Sequence, residues 1–355
     1  MAPVVALEPL RNCVVALVSA VTLLALFLLL ERTVAALRLS RTNKREPALT
    51  QLLYRAAQST PPALGDIRRL GRRDRKLMRS ILLGLALDLR GDTSEAIATV
   101  YRELGFLKKD LRQLRSWRAT TRARAAADLG VIHSPHAVPD LVHALNDPDV
   151  RVRQVAVWAV GQVGTPKALG DMVRLLGDPN LAVAHRAQEV LAQRGREVVD
   201  AIIAYAETTS NRAGRLATIE LVGWLRITTA SELLIGFMSD MDPEVRVKSV
   251  KAAAAIGDPR FLEIFHARLE DPSWPVRCQA AKGLSLFGSP ESVPWLSAAL
   301  RDQQWWVRFY AATALAEVGP AGEAALSSAL NDPEPSVREM ARYLMERGTM
   351  VPALP

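Results

Sequence analysis

Apolar positions from residue 116 onward recur with a period of 31 residues, shortened to 30 in the last interval. Five, nine, thirteen and sixteen residues after the start of each period the chain is small or apolar, which is typical of one face of an amphipathic helix. A second apolar pattern precedes each start, as in Leu141, Val142 and Leu145. Each period therefore predicts two helices joined by a short turn. The starts, six of which are aspartate, are Ser116, Asp147, Asp178, Thr209, Asp240, Asp271, Asp302 and Asp332.

Arginine fills the column six residues after the start in seven of the eight periods. The turn carries Asp or Asp-Pro, and we expect the aspartate to cap the second helix while proline fits its first turn. Glycines such as Gly164, Gly195 and Gly257 mark the end of the second helix. Because neither helix could bury its apolar stripe alone, neighbouring units must stack.

Segments such as Asp147–Gly164 (DPDVRVRQVAVWAVGQVG) and Asp332–Leu344 (DPEPSVREMARYL) resemble HEAT repeats of the short bacterial, phycobilisome-lyase-like kind. The resemblance covers about two thirds of the chain and implies an all-α fold, a right-handed α-solenoid of about eight HEAT-like hairpins. In that family the turn aspartate and the arginine six residues later form a ladder of bonds between adjacent units. The residues that the resemblance assigns to this structural ladder are Asp147, Arg153, Arg215, Asp240, Arg246, Asp271, Arg277, Asp302, Arg308, Asp332 and Arg338.

Two periods depart from the pattern. Ala184 replaces the ladder arginine in one, and Thr209-Ser210 replaces Asp-Pro in the next, where Gly214 stands in place of the usual valine. Two interpretations remain open, a bend between residues 184 and 215 or a partner that occupies the gap.

The stretch 13–30 contains 18 residues without a charge, which is long enough to cross most of the hydrocarbon core of a bilayer. We interpret it as a transmembrane helix, with a cleaved signal peptide as the alternative. Arg11 stands alone before this stretch, whereas five basic residues follow it within about 15 positions. The predicted localisation is therefore the cell membrane, single-pass, with the N terminus outside and the solenoid in the cytoplasm.

The predicted organisation has six parts. They are a tail (1–12), the transmembrane helix (13–30), a basic juxtamembrane helical segment (31–80), a helical N-terminal cap (81–115) with a helix over 96–104, the repeat solenoid (116–347) and a C-terminal tail (348–355). The second part of the basic segment carries a cluster that could contact anionic lipid head groups or could simply be a solvated helix face. The candidate membrane-surface residues are Arg68, Arg69, Arg72, Arg73, Arg75 and Lys76.

Charge is distributed unevenly along the chain. Residues 1–115 carry 20 Lys and Arg against 10 acids, a net charge of +10, and residues 116–355 carry 25 against 27, a net charge of −2. A solenoid of this charge does not favour nucleic-acid binding, which requires a basic surface. The two cysteines, Cys13 and Cys278, exclude a disulfide framework because Cys13 lies within the apolar stretch.

Some relatives with short HEAT repeats are enzymes, among them bilin lyases and a di-iron hydroxylase, so the resemblance also admits a catalytic function. None of the five histidines precedes a glutamate, and the paired His-Glu ligands of the hydroxylase are therefore absent from the sequence. His133, His136 and Asp140 are close in sequence, but one divalent metal usually takes three or four ligands and no matching cluster stands elsewhere. We expect no metal and no cofactor. A bilin-lyase type enzyme or enzyme subunit remains the alternative function.

Aromatic residues gather in two adjacent periods. Trp274 and Trp305 both stand three residues after a start, so we expect them to be spatial neighbours. The candidate partner-binding residues are Trp274, Trp305, Trp306, Phe309 and Tyr310. Such rings are typical anchors of interfaces, or they could hold the turns onto the helices below. The favoured function is a membrane-anchored scaffold that binds a protein partner at the cytoplasmic face.

Overall fold

The computed structural model describes residues 45–53, 55, 65–88 and 92–347, and the regular structure within these residues is helical throughout. The chain forms two compact units. The first comprises the described residues of Met1–Gln113 with Val131–Ser134, and the second comprises those of Leu114–Gly130 with Pro135–Pro355.

The first unit contains the helices Gly65–Arg68, Arg72–Asp88, Asp92–Glu103 and Phe106–Gln113. Met78, Leu82 and Tyr101 are fully buried in its core. The Asp110 carboxylate is also buried, and it accepts hydrogen bonds from Arg79 Nη2 at 2.6 Å and from the Tyr101 hydroxyl. The helix predicted over 96–104 begins four residues earlier than expected, at Asp92.

The second unit is an all-helical solenoid of hairpins, which we number as repeats 1–8 by the eight turn positions. The first helices of repeats 2–8 are Val138–Ala144, Pro166–Met172, Val199–Thr208, Ser231–Phe237, Phe261–Arg268, Val293–Ala299 and Pro320–Ala329. The second helices of repeats 1–8 are Ala119–Ile132, Val150–Val163, Leu181–Arg194, Arg212–Leu225, Pro243–Ile256, Trp274–Phe287, Trp305–Glu317 and Pro335–Arg347. Short 3₁₀ segments lie at Pro135–Ala137, Val173–Gly177, Gly195–Glu197, Thr228–Ala230 and Pro290–Ser292.

Neighbouring second helices pack side by side, and the first helices form a second layer against them. The apolar column five residues after each turn lies in the core between the layers. Val152, Val183, Val276 and Val307 are fully buried there. The predicted 31-residue period thus corresponds to one hairpin of two packed helices.

Arginines six positions after the turn link one repeat to the next. Arg153 donates through Nε and Nη2 to the carboxylate of Asp178 at 2.8 and 2.9 Å, and through Nη1 to the carbonyl oxygen of Asp147 at 2.9 Å. Arg215 makes one bond of 2.8 Å to Asp240. Each arginine thus bonds both its own turn and the turn of the following repeat. Two hydrogen bonds to the next turn aspartate also form in the pairs Arg122–Asp147, Arg246–Asp271 and Arg277–Asp302.

The ladder changes at its C-terminal end. Arg308 donates to the carbonyl oxygens of Asp302 and Gln303, while the carboxylate of Asp332 accepts from Arg301. In the last repeat Arg338 donates to the carbonyl oxygen of Asp332 at 2.7 Å. Within one repeat, the arginine therefore bonds the backbone of the turn aspartate and not its carboxylate.

Burial and hydrogen bonding act in opposite directions on the turn carboxylates. Burial alone would raise the pKa of Asp271, but the two bonds from Arg246 and one from the Ser273 amide outweigh it and hold the pKa below its ordinary value. The pKa of Asp147 is lowered by the same balance, with Arg122 as the donor. Both carboxylates are therefore ionised partners in the folded chain at neutral pH.

The caps of the second helices differ from the expectation. Asp147 accepts a hydrogen bond from the amide of Asp149 at 2.9 Å, and Asp149 is the N-cap, accepting from the Arg151 amide. The bond from Arg151 lowers the pKa of the Asp149 carboxyl to about 2. The turn aspartate thus shapes the turn, and the residue two positions later caps the helix. Gly195 also departs from the expected stop, because it continues into a 3₁₀ segment with φ −61°.

Repeats 3 and 4 lack a ladder pair because Ala184 replaces the arginine, and other contacts within the chain join them. Asn211 Nδ2 donates to the Gly177 carbonyl oxygen at 3.0 Å, and the Tyr205 hydroxyl lies beside both Gly177 and Gly214. A Cβ atom on Gly214 would come within 2.3 Å of the Tyr205 oxygen. Repeats 3 and 4 are therefore joined by the close contact at Gly214 and by a hydrogen bond from the Asn211 side chain, where most other repeats use an Arg–Asp pair.

The predicted membrane localisation is corrected. Within the described residues, no helix is both long enough and apolar enough to cross a bilayer. The segment 13–30, from which the transmembrane prediction came, lies outside the described residues, as do residues 31–44 and 348–355. The single-pass assignment and the orientation derived from it are not supported.

Removing one ladder arginine should destabilise the fold according to its burial. The side chains of Arg246 and Asp271 are 11% and 1% exposed, so Arg246→Ala leaves a buried carboxylate without its partner and should lower the free energy of unfolding by about 3 kcal/mol. Arg215→Ala, at a more exposed rung, should cost about 1 kcal/mol. Denaturant unfolding measures both. Arg260→Ala, on an exposed pair, serves as the control, and equal losses for all three variants would contradict the ladder's role.

The contribution of Asp271 to stability should disappear in acid. Since its folded-state pKa lies below the unfolded value of 3.8, the stabilisation is fully present above that pH and is lost as the pH falls through the folded pKa. Asp271→Asn should therefore be less stable than the parent chain at pH 7, and the difference should shrink as the pH falls below about 4. Denaturant unfolding at pH 7, 5, 4 and 3 measures this difference in the free energy of unfolding. A difference that stays the same at every pH would contradict the prediction.

Candidate functional site

The second helices of the solenoid carry an outer face built from two columns of residues. Between repeats 4 and 5, and between repeats 6 and 7, a residue 11 positions after the turn of one repeat lies beside the residue eight positions after the turn of the next, 28 residues later in the sequence. Lys248 forms an ion pair with Glu220 across this seam, and Lys282 Nζ lies 5.5 Å from the centroid of the Tyr310 ring. We call this surface the second-helix face. Its pairs in repeats 1–7 are Arg124 and Ala127, Val155 and Trp158, Arg186 and Glu189, Ala217 and Glu220, Lys248 and Lys251, Gln279 and Lys282, and Tyr310 and Thr313, and in repeat 8 Tyr343 stands on it while Met340 is buried.

An open groove of about 540 Å³ lies on this face in repeats 1–3. Trp158 forms one wall and packs closely on Gly130, where an added Cβ atom would come within 2.8 Å of the indole ring. Arg186, which stands near the position of the missing ladder arginine, bonds Glu189 at 3.2 Å on the same helix. The residues that line the groove are Ala127, Gln154, Val155, Trp158, Ala182, His185, Arg186 and Glu189.

Repeats 7 and 8 hold a group of five rings that we call the aromatic cluster: Trp305, Trp306, Phe309, Tyr310 and Tyr343. Phe309 is fully buried at its centre, with Trp305 stacked on it at a centroid distance of 5.1 Å. Trp306 stacks on Tyr310 at 6.2 Å, and Trp305 meets Tyr343 edge-on, also at 6.2 Å. The cluster therefore combines a core ring with partly exposed rings around it.

Trp274 does not join the cluster. Among the described residues, the ring contacts of Trp305 are with Trp306, Phe309 and Tyr343, and Trp274 stands apart with 41% of its surface exposed. The shared turn position puts Trp274 and Trp305 in adjacent repeats but does not bring their rings into contact. Trp117, at the turn of repeat 1, is 83% exposed and carries Arg118 over its ring at 4.6 Å.

Cys278 in repeat 6 and Tyr310 in repeat 7 are close enough to interact electrostatically, and burial raises the pKa of both side chains. Burial raises the pKa of the Cys278 thiol to about 11, and the nearby Lys282 opposes this only in part. The thiol is therefore protonated at neutral pH and is a poor nucleophile. Burial, and then Cys278, also raises the pKa of Tyr310.

The residues considered for metal binding are engaged locally. His133 Nδ1 lies 2.7 Å from the Val131 carbonyl oxygen, and Asp140 accepts a hydrogen bond from Arg115 at 3.0 Å. The buried His266 forms a 2.9 Å hydrogen bond with Ser292 and stacks on Trp295. In the part of the chain that the structure describes, no three His, Cys, Asp or Glu side chains converge as metal ligands would.

The basic cluster of the first unit is divided by the fold. Arg75 is half-buried and donates to the Leu104 carbonyl oxygen at 2.8 Å, with its guanidinium 5.8 Å from the Phe106 ring. Arg68 pairs with Glu103 at 3.3 Å. The exposed remainder consists of Arg69, Arg72, Arg73 and Lys76.

The lysines of the second-helix face were not predicted as a site. Lys251 and Lys282 occupy the same column, 11 positions after the turn, in repeats 5 and 6. Their equivalence is visible in the sequence once the repeats are aligned. The 28-residue contact that places Lys282 on Tyr310 depends on the tilt of neighbouring helices, which the alignment does not contain.

The family model for HEAT repeats matches residues 107–192 and 262–346. The prediction of HEAT repeats is thereby confirmed for both stretches. Repeats 4 and 5, which lie between them, fold into hairpins of the same kind. No curated protein matches the chain in sequence.

Several solved helical structures are similar in part. The Escherichia coli protein YibA shares 18% identity over 80% of this chain and 99% of its own, with a TM-score of 0.41. The CpcE–CpcF complex of a Nostoc phycocyanin lyase shares 20% identity over 68% and 94%, with a TM-score of 0.30. The Kap95p complex with RanGDP shares 12% identity over 78% and 45%, with a TM-score of 0.48. With TM-scores below 0.5, these similarities carry no argument about function.

The rings of the candidate site should differ in their contribution to stability. Phe309→Ala removes a fully buried ring and should lower the free energy of unfolding by about 4 kcal/mol. Trp274→Ala, at a half-exposed ring outside the aromatic cluster, should cost about 1.5 kcal/mol. Thermal and denaturant unfolding measure both losses. A larger loss for Trp274→Ala than for Phe309→Ala would show that the turn ring holds the repeats together.

Proposed function

We propose that the chain is a protein-interaction scaffold and that the aromatic cluster, together with the adjoining second-helix face, is its partner-binding surface. The observation that carries the proposal is the partial exposure of Trp305, Trp306, Tyr310 and Tyr343 around the buried Phe309. Tryptophan and tyrosine contribute most of the binding energy at many interfaces, since they bury large areas at a small cost in side-chain entropy.

The ring contacts that hold these side chains in place also favour binding. Trp305 is held by stacking on Phe309 and by an edge contact with Tyr343, so its position is fixed before a partner arrives. Trp306 is held in the same way by Tyr310, which itself lies under Lys282. A preorganised surface binds more tightly because fewer side chains lose freedom on association.

The stacking of repeats explains how a scaffold could be built without a catalytic motif. Each repeat contributes a few side chains to one continuous face, so that specificity is spread over the surface. No particular side chain in the described residues favours the bilin-lyase alternative.

A site-specific photo-crosslink tests the proposal. A benzophenone amino acid placed at Tyr310, in the cells that produce the chain, should form a covalent adduct with a partner protein, because that position lies within the proposed interface. The same amino acid placed at Glu263, an exposed position on a first helix of repeat 6, is the matched control. The adduct at Tyr310 is identified by gel shift and mass spectrometry.

The expected result is one dominant adduct at Tyr310 that is absent at Glu263, and that decreases when Trp306 is also changed to alanine. Unfolding measurements on the Trp306→Ala variant separate lost binding from lost folding. Adducts of the same kind and yield at both positions would contradict the assignment of the aromatic cluster, and the lack of any adduct at Tyr310 would contradict the scaffold proposal.

A further inference from the structure

Two lysines of the second-helix face carry charge that the fold leaves uncompensated. Lys251 and Lys282 are exposed and stand in the same column of repeats 5 and 6. Within the described residues neither has an ion-pair partner, whereas Lys248 on the same face is paired with Glu220.

The carboxylates of these repeats that lie nearest the turns are already engaged. Asp271 is bonded by Arg246 and Asp302 by Arg277, with both acidic groups largely buried. Glu244 pairs with Arg212. The acidic groups at these turns are thus paired within the fold while the lysines face solvent, which makes this part of the face complementary to a negatively charged ligand.

An apolar contact lies directly beyond the lysines along the stack. Lys282 lies over one side of the Tyr310 ring, and Trp306 stacks against the same ring at 6.2 Å. The order along the face is therefore Lys251 in repeat 5, Lys282 in repeat 6, and the Trp306–Tyr310 pair in repeat 7. Two positive positions are followed by one aromatic position, one for each repeat.

The spacing of the repeats matches that of an extended chain. Packed helices lie about 8–10 Å apart, and an extended chain in the polyproline II conformation advances about 3.1 Å per residue with three residues per turn, so three residues span one repeat and every third side chain points to the same side. A segment crossing the second helices would thus present every third side chain to an equivalent position.

We infer that the second-helix face of repeats 5–7 binds an extended acidic segment of a partner protein in the polyproline II conformation. The segment carries two acidic residues three positions apart, which pair with Lys251 and Lys282, and an apolar residue three positions further on, which packs against Trp306 and Tyr310. This inference rests on the proposed function and names the chemistry of the partner.

Fluorescence anisotropy with a synthetic probe tests the inference on the full chain. The probe is a labelled decapeptide with glutamate at its second and fifth positions, leucine at its eighth, and glycine and serine elsewhere. A second peptide carries lysine at both glutamate positions, and a third carries the two glutamates side by side. The first peptide should bind at least tenfold more tightly than either, and its affinity should fall as the salt concentration rises.

Charge reversal of the protein gives the matched test. Lys251→Glu and Lys282→Glu should each weaken binding of the first peptide about tenfold, and the double variant should prefer the lysine peptide. Lys167→Glu, at an exposed position on a first helix of repeat 3, is the control and should leave binding unchanged. Tyr310→Ala should weaken the leucine peptide but not one with serine in place of leucine.

Binding of the first peptide that is unaffected by either charge reversal, or equal binding of the glutamate and lysine peptides, would overturn the inference. Equal binding of the spaced and adjacent glutamates would overturn the three-residue register. The proposed function is judged separately, because the adduct at Tyr310 would persist in the Lys251→Glu, Lys282→Glu double variant if a partner binds the aromatic cluster without an acidic segment.

Discussion

The bidentate bond from an arginine of one repeat to the turn aspartate of the next is the interaction on which the solenoid depends. It joins the turns of two adjacent repeats, and the same guanidinium also bonds the carbonyl oxygen of its own turn. Because the pairs are largely buried, neither partner could be left alone without a high cost. The ladder thus sets the register of the second helices and the surface they expose.

Much of this architecture could be predicted from the sequence. The 31-residue period corresponds to one helical hairpin, and the valine column five residues after the turn lies in the core. Details within a turn were less predictable, because Asp147 and Asp149 are both able to cap a helix and only the backbone geometry shows that Asp149 does so. The loss of the ladder arginine at Ala184 was visible in the sequence. The hydrogen bond from Asn211 and the close contact at Gly214, which join the two repeats instead, were not.

The candidate site was predictable only in part. Trp305, Trp306, Phe309 and Tyr310 were identified from their spacing, whereas Tyr343, one repeat later, joins them through tertiary packing. Trp274 shares the turn position of Trp305 but makes no contact with it in the described residues, since equivalent positions in a stack are separated by a full helix width. The membrane assignment came from residues 13–30 alone and is not supported by any described helix.

A continuous second-helix face requires that adjacent repeats be coupled through the ladder. A double-mutant cycle on Arg277 and Asp302, with Arg277→Ala, Asp302→Ala and the double variant compared by denaturant unfolding, measures that coupling directly. We expect a coupling free energy of at least about 2 kcal/mol, because the pair is shielded from solvent and its two bonds hold two turns together. A coupling near zero would show that the repeats are held in place without this pair, and would contradict the account.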